Sequence, residues 1–185
     1  MAVNDSTDVT VVDLLIDQHM RIKSLFSQVL TATGDLKAGL FHDLVQLLAV
    51  HEGAEEQVVH PTVRRRIDGA EPIVRARLDE EESAKRALSE LYDLGTDHPE
   101  FNPRLRALAD DVVRHATAEE NEEFPRLQAF LSRDELIRMA GTVRIAEAVV
   151  PARPHPTKPN ESAADLADGP PLALFARVRD ALRGS

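Results

Sequence analysis

The stretch His51-Glu52-Gly53-Ala54-Glu55-Glu56 decides the fold, because the chain repeats it. His51, Glu55, Glu56 and Pro61 recur as His115, Glu119, Glu120 and Pro125, each 64 residues later, so both copies read H-x-x-x-E-E-x-x-x-x-P. On an α-helix, residues i and i+4 lie on one face with Cβ atoms ~5–6 Å apart. Each copy therefore presents an imidazole and a carboxylate one turn apart. Two such pairs on two helices suit a dinuclear metal site in a bundle core.

Working outward, the apolar positions follow helical periodicity on both sides of each copy. From about Asp8 to Thr31, Val12, Leu15, Ile22, Phe26 and Val29 form a stripe that also contains His19. Gly34-Asp35 breaks the run, with Asp35 expected as the next N-cap. The second helix, to about Arg66, carries Leu44, Leu48, His51, Glu55 and Val58 or Val59, and Pro61 predicts a kink or an end within it. After the turn Asp68–Pro72, a third helix reads Val74, Leu78, Glu81, Leu88 and then Leu91 or Tyr92. Of Glu80, Glu81 and Glu82, only Glu81 continues the stripe. Gly95–Pro103 is expected as loop, with Asn102 capping a fourth helix through Leu105, Leu108, Val112, His115 and Glu119. Ser132-Arg133-Asp134-Glu135 has the form of a capping box opening a fifth helix to about Val149.

The expected fold is all-α: an up-down-up-down four-helix bundle with an extra helix over residues 8–150. Residues 151–185 form a Pro-rich linker, holding six of the chain's eleven prolines, and a short helix with Leu172, Phe175, Val178 and Leu182 on the side that docks back.

In such a bundle, residues equidistant from a connecting loop share a height. Reflecting His19 across Gly34 arrives within a turn of His51, and reflecting Glu55 across Gly69 arrives within a turn of Glu81. Glu81 reflected across His98 lands on His115. Four helices thus bring a metal-competent side chain to one level, giving His19, His51, Glu55, Glu81, His115 and Glu119 as the ligand set. A single stripe histidine is more often a hydrogen-bonded core residue, and HxxxE alone is common on helix surfaces. Six such groups buried together without a cation would cost several kcal/mol per charge. His42, His98 and His155 lie off the stripe, in a loop and in the Pro-rich tail. His60 takes the place that Phe124 holds in the second copy, so packing is its expected role. Glu56 and Glu120 sit one residue round the helix, where an outer-layer or surface role is expected rather than ligation. Tyr92 is three turns beyond Glu81, too far to reach the site.

Composition narrows the function. The net charge is −10, which argues against nucleic-acid or anionic-membrane partners. No cysteine is present, excluding disulfides, thiol catalysis and thiolate metal sites. Aromatics make up 4% against 43% apolar residues, a composition suited to an aliphatic helical core. The N-terminal stretch has no basic region ahead of an apolar run, and no run approaches the ~20 residues of a membrane span, so a cytoplasmic protein is expected.

These motifs resemble the hemerythrin-like, HHE cation-binding family over about Val9 to Phe130. The match lies in Asp17-Gln18-His19, His51-x-x-x-Glu55, and His115-x-x-x-Glu119 with Phe124-Pro125. The resemblance implies two iron ions, joined by an oxo or hydroxo bridge. It makes Glu55 and Glu119 the bridging carboxylates and His19, His51 and His115 terminal ligands. Residue chemistry alone leaves the metal open, since Fe, Mn and Zn all accept His and carboxylate. Where the family has a histidine in its third helix, within E-E-H-x-x-x-K, this chain has Glu81 in Glu80-Glu81-Glu82-Ser83-Ala84-Lys85. Glu52 stands where an iron-sensing member of the family also has a glutamate, making it a candidate seventh ligand. A carboxylate in place of imidazole is harder and negative, favouring ferric iron and a lower potential. That points away from reversible oxygen carriage. The expected partner is a small oxidant (dioxygen, hydrogen peroxide or nitric oxide), handled in a catalase- or peroxidase-like way. An iron- or oxygen-binding sensor or store is the second reading, and a metal-free helical interaction protein the third.

Overall fold

The computed structural model describes residues 9–149 and 171–183. Among these residues all regular structure is helical, in the expected antiparallel bundle. The first stave is α1 (Val11–Thr31). The second runs continuously through α2 (Gly34–Ala54), the π-helical turn π1 (Glu55–Val59) and α3 (His60–Arg66). The third is α4 (Glu71–Leu94). The fourth runs through α5 (Phe101–Ala118), π2 (Glu119–Glu123) and α6 (Phe124–Phe130). Two further helices, α7 (Arg133–Val149) and α8 (Pro171–Arg183), lie outside the four. No helix among the described residues is long and apolar enough to cross a membrane.

Local chemistry explains most boundaries. Thr10 caps α1 reciprocally: its Oγ1 accepts the Asp13 N–H at 3.2 Å, and Asp13 accepts the Thr10 N–H at 3.0 Å. The expected capping box at Ser132 and Glu135 is present at α7, with the Ser132 N–H donating to Glu135 at 2.9 Å. Asp35 does not cap α2. The helix opens at Gly34, whose φ of +57° reverses the chain, and Asp35 lies in the first turn, where its charge still complements the helix dipole. Likewise Asn102 is inside α5 rather than at its cap. Phe101, fully buried edge-on against Phe41 at 5.0 Å between ring centres, draws the first turn into the core. Pro103 is tolerated in that first turn because its missing N–H would have no partner there.

The prolines at 61 and 125 do not end their staves, so the helix end allowed for at Pro61 is not found there. Each follows a π turn, in which the N–H of His60 or Phe124 reaches back five residues to the carbonyl of Glu55 or Glu119. The extra residue relieves the clash that a proline ring makes with the carbonyl four residues earlier. It also turns two consecutive residues inward: Val59 and His60 in the first copy, Glu123 and Phe124 in the second.

Apolar side chains divide into two clusters. One gathers Ile22, Phe26, Leu44, Leu48, Leu88 and Leu105 with the buried face of α8. The other gathers Val12, Leu15, Val59, Val74, Phe124 and Leu127 with that of α7. Between them, on all four staves, lie the polar residues singled out from the sequence.

From Leu44 to Glu55 every residue is buried, so this C-terminal half of α2 has no solvent face. The stretch Leu44-Val45-Gln46-Leu47-Leu48-Ala49-Val50 is apolar almost all round, the pattern of a helix enclosed on every side. α8 encloses it, packing against α2 and α4, while α7 packs against α1 and α2. Leu174, Phe175, Val178 and Leu182 are buried in that contact, each worth roughly 1.5–3 kcal/mol of apolar transfer. Leu172, expected on the docking side, is 53% exposed, because the buried stripe runs through Leu174 instead. The expected Pro-rich linker, and with it the boundary at residue 150, lies outside the described residues.

Close approach of α8 depends on Gly53, where an added Cβ would stand 2.8 Å from Val178 Cγ1. Overpacking of this kind costs ~1–3 kcal/mol, against which the helix propensity of alanine returns about 1 kcal/mol. Gly53→Ala is therefore expected to lower Tm by ~2–4 °C, the equivalent of about 1 kcal/mol at this size. In a Val178→Ala background the same substitution should be neutral or stabilising. Thermal denaturation of the four variants measures both.

Candidate metal centre

His19, His51, Glu55, Glu81, His115 and Glu119 are drawn together at mid-bundle, all 9% exposed or less. Their ligand atoms form two overlapping groups, each within 4.8 Å. One is His19, His51, Glu55 and Glu119; the other is Glu55, Glu81, His115 and Glu119. Glu55 and Glu119 belong to both. The Nε2 atoms of His19 and His51 stand 3.0 Å apart. Glu119 faces His19 Nε2 at 3.3 Å with one oxygen and His115 Nε2 at 3.2 Å with the other. Glu55 lies 3.4 Å from His51 Nε2 and 4.0 Å from His115 Nε2.

The outward nitrogens explain why the rings converge. His51 Nδ1 is held by Gln18 Oε1 at 2.9 Å, His19 Nδ1 by Glu120 at 2.8 Å and His115 Nδ1 by Glu80 at 2.8 Å. An acceptor at Nδ1 fixes the proton there and leaves the Nε2 lone pair facing inward, the arrangement of metal-ligating histidines. Phe124 stacks on the His19 ring at 5.8 Å and 12°. Glu120 thus stands outside the donor groups, behind the His19 ring. Glu56 instead pairs with Lys85, which also stands 4.0 Å from Glu52. Glu52 is buried but falls outside both groups, turned toward Lys85.

His60 corrects the sequence reading. It is not a packing residue like Phe124: at 1% exposure it lies between two carboxylates, with Nε2 2.6 Å from Glu81 and Nδ1 2.9 Å from Glu123. Glu123, fully buried, also went unnoticed in the sequence. On an unbroken α-helix the residue five beyond Glu55 swings away from its face; the π turn brings it back. Proline inside each repeated stave was the available signal.

The electrostatics show a site short of positive charge. Burial, then the neighbouring Glu119, pushes Glu55 well above the usual carboxylate range. Burial likewise raises Glu81, to about 7, and drives His51 well below the usual imidazole range. Burial opposes ionisation of Glu119 and His115 as well, yet their mutual attraction prevails, holding Glu119 low and His115 high. His60 too is raised, burial being outweighed by its bonds to Glu123 and Glu81. Even so, both oxygens of Glu55, both of Glu119, Glu81 Oε2 and His115 Nε2 are buried without a hydrogen-bond partner. Buried orphans of this kind are costly, and hard oxygen and imidazole donors in this number suit a pair of divalent or trivalent first-row cations. The residues fit the metal that the sequence motifs imply.

Glu81 supplies a pH test. Its folded pKa of about 7 exceeds the 4.5 of an unperturbed glutamate, so its contribution to stability is fully present below 4.5 and lost as pH rises through about 7. Chelator-treated protein should lose this contribution over that window, and Glu81→Gln should flatten the corresponding limb of Tm against pH. Cation affinity should rise over the same window, since the ligand must be deprotonated. Calorimetry with and without chelator measures both.

A family model described as the hemerythrin HHE cation binding domain matches residues 10–127. The chain is 27% identical over 174 residues to an uncharacterized hemerythrin-like protein of Schizosaccharomyces pombe, covering 92% of this chain and 83% of that one. It is 27% identical over 151 residues to a DNA nickase of Nostoc sp., covering 81% of this chain and 42% of the nickase. No solved structure matches. A repeated His/Glu pair on two staves, a convergent donor set and a domain match across 10–127 carry one conclusion: the chain belongs to the hemerythrin family of HHE cation-binding domains.

Proposed function

We propose that the chain holds two iron ions, with His19 and His51 on one, Glu81 and His115 on the other, and Glu55 and Glu119 shared. The supporting observation is the set of partnerless carboxylate oxygens facing histidine Nε2 atoms whose Nδ1 atoms are already engaged. Iron bound there would exchange electrons with hydrogen peroxide, dioxygen or nitric oxide. The function that fits best is peroxide removal: one peroxide is oxidised to dioxygen while a second is reduced to two waters.

The protein's own contribution is access, exclusion and orientation. A cavity of about 380 Å³ reaches His19, His51, Glu81 and His115 from between α4 and α5. Its inner wall is apolar, with Leu48, Ala84, Leu108 and Val112, and its mouth has the exposed Asp79, Ser83, Asp111 and Arg114. Small uncharged oxidants pass such a wall more readily than anions. Gln18, Glu80 and Glu120 fix the imidazole orientations, and Phe124 shields His19 from water. Glu81 adds negative charge, which favours the oxidised metal and disfavours reversible oxygen carriage. DNA nicking is not carried over from the relative, because the match covers 42% of it and this chain's charge of −10 offers no basic footprint.

A sensing role has one observation in its favour. Lys85, paired with Glu56 and near Glu52, also lies 5.3 Å over the Phe175 ring, linking the edge of the centre to α8.

Metal analysis of protein purified as made should give two irons per chain, with near-ultraviolet and visible absorption of a coupled ferric pair. Glu55→Gln and Glu119→Gln should each reduce retention to one ion or none. Stopped-flow mixing with hydrogen peroxide should bleach or shift that absorption and evolve dioxygen. Two tightly held irons with no spectral change and no dioxygen would reject turnover and leave the sensor or store.

A further inference from the structure

The π turns bring a fourth histidine to the centre. We propose that His60 is a metal ligand on the Glu81 side, its Nδ1 anchored by Glu123, so that Glu81 adds a carboxylate to the centre without depriving it of a fourth imidazole. This rests on the two-metal reading above and goes beyond it.

Geometry carries the argument. His19, His51 and His115 each give Nδ1 to an acceptor outside the ligand groups and turn Nε2 inward; His60 likewise gives Nδ1 to a carboxylate, Glu123 at 2.9 Å, although Glu123 itself belongs to the third group. Its Nε2 then stands 2.6 Å from Glu81 Oε1, much as the His19 and His51 Nε2 atoms stand 3.0 Å from each other. Ligand atoms of His60, Glu119 and Glu123 lie within 4.8 Å of one another, so the group that contains His60 shares Glu119 with both others. The other oxygen of Glu81 and both of Glu119 are buried without a partner beside it. The second copy supplies an internal comparison. At the position equivalent to His60 it has Phe124, fully buried and stacked on His19, so an apolar ring meets the packing requirement there. An imidazole with a buried carboxylate behind it does more than pack: it orients a nitrogen toward the centre.

The test uses the full chain, loaded anaerobically with Fe(II) and separately with Co(II), and reads stoichiometry by equilibrium dialysis and coordination by visible absorption. Wild type should bind two ions. His60→Phe, which borrows the second copy's own side chain, should retain one tightly, with the second weakened more than tenfold and the Co(II) bands altered. Glu123→Leu should weaken the same ion by ~10–100-fold, the usual effect of removing a ligand's anchor. Should His60→Phe fail to fold, a crystal of Co(II)-loaded wild type decides: His60 Nε2 at ~2.0–2.2 Å from a cation supports the inference, and Nε2 kept on Glu81 away from any cation overturns it. Folded His60→Phe binding two ions with wild-type affinity and spectrum also overturns it, leaving the two-metal reading intact. Wild type binding no cation overturns both.

Discussion

A layer of buried charge cuts this bundle in two, and the rest of the structure answers to it. Glu55, Glu81, Glu119 and Glu123 are each 1% exposed or less, with four imidazoles among them and an apolar cluster above and below. Ionised groups in such surroundings cost several kcal/mol each unless compensated. Protons supply part of the compensation, as the upward displacement of Glu55 and Glu81 shows, and the His115–Glu119 attraction supplies another part. Cations would supply the remainder. The stability of the fold and the occupancy of its centre are therefore one problem.

The π turns are where backbone and chemistry meet. A regular helix through Pro61 or Pro125 would lose a hydrogen bond and clash with the preceding turn. Inserting one residue removes the conflict and directs two consecutive side chains inward. Each copy spends that opportunity differently: Val59 and His60 in one, Glu123 and Phe124 in the other. The result is a pair that meets across the bundle, His60 with Glu123, beside a second pair that stacks, His19 with Phe124. A duplicated motif has thus become an asymmetric site.

The outer helices touch residues beside the centre. Gln18 accepts from His51 with its oxygen and donates to Glu147 of α7 with its nitrogen, at 2.9 Å in both cases. Arg183 of α8 donates to Gln57 within π1 at 3.1 Å, and Phe175 lies under Lys85. Each of these contacts joins an outer helix to a residue beside the ligand groups.

Periodicity and repetition made the four staves and the six central side chains legible in the sequence. Buried stripes must recur at helical spacing, and a polar residue within such a stripe must share its burial. The same logic placed His19, Glu81 and His115 at one height, because short connections force antiparallel neighbours into register. Other features depend on atoms distant in the chain. The C-terminal half of α2 has no solvent face because α8, lying against Gly53, joins α1 and α7 in covering it, and Leu172 points outward because α8 docks through Leu174. His60 resembled a packing residue until the π turn rotated it onto Glu81 and placed Glu123 behind it. Spacing along a chain specifies which face a side chain takes on a regular helix; where the helix departs from regularity, only the packed structure decides which face that is.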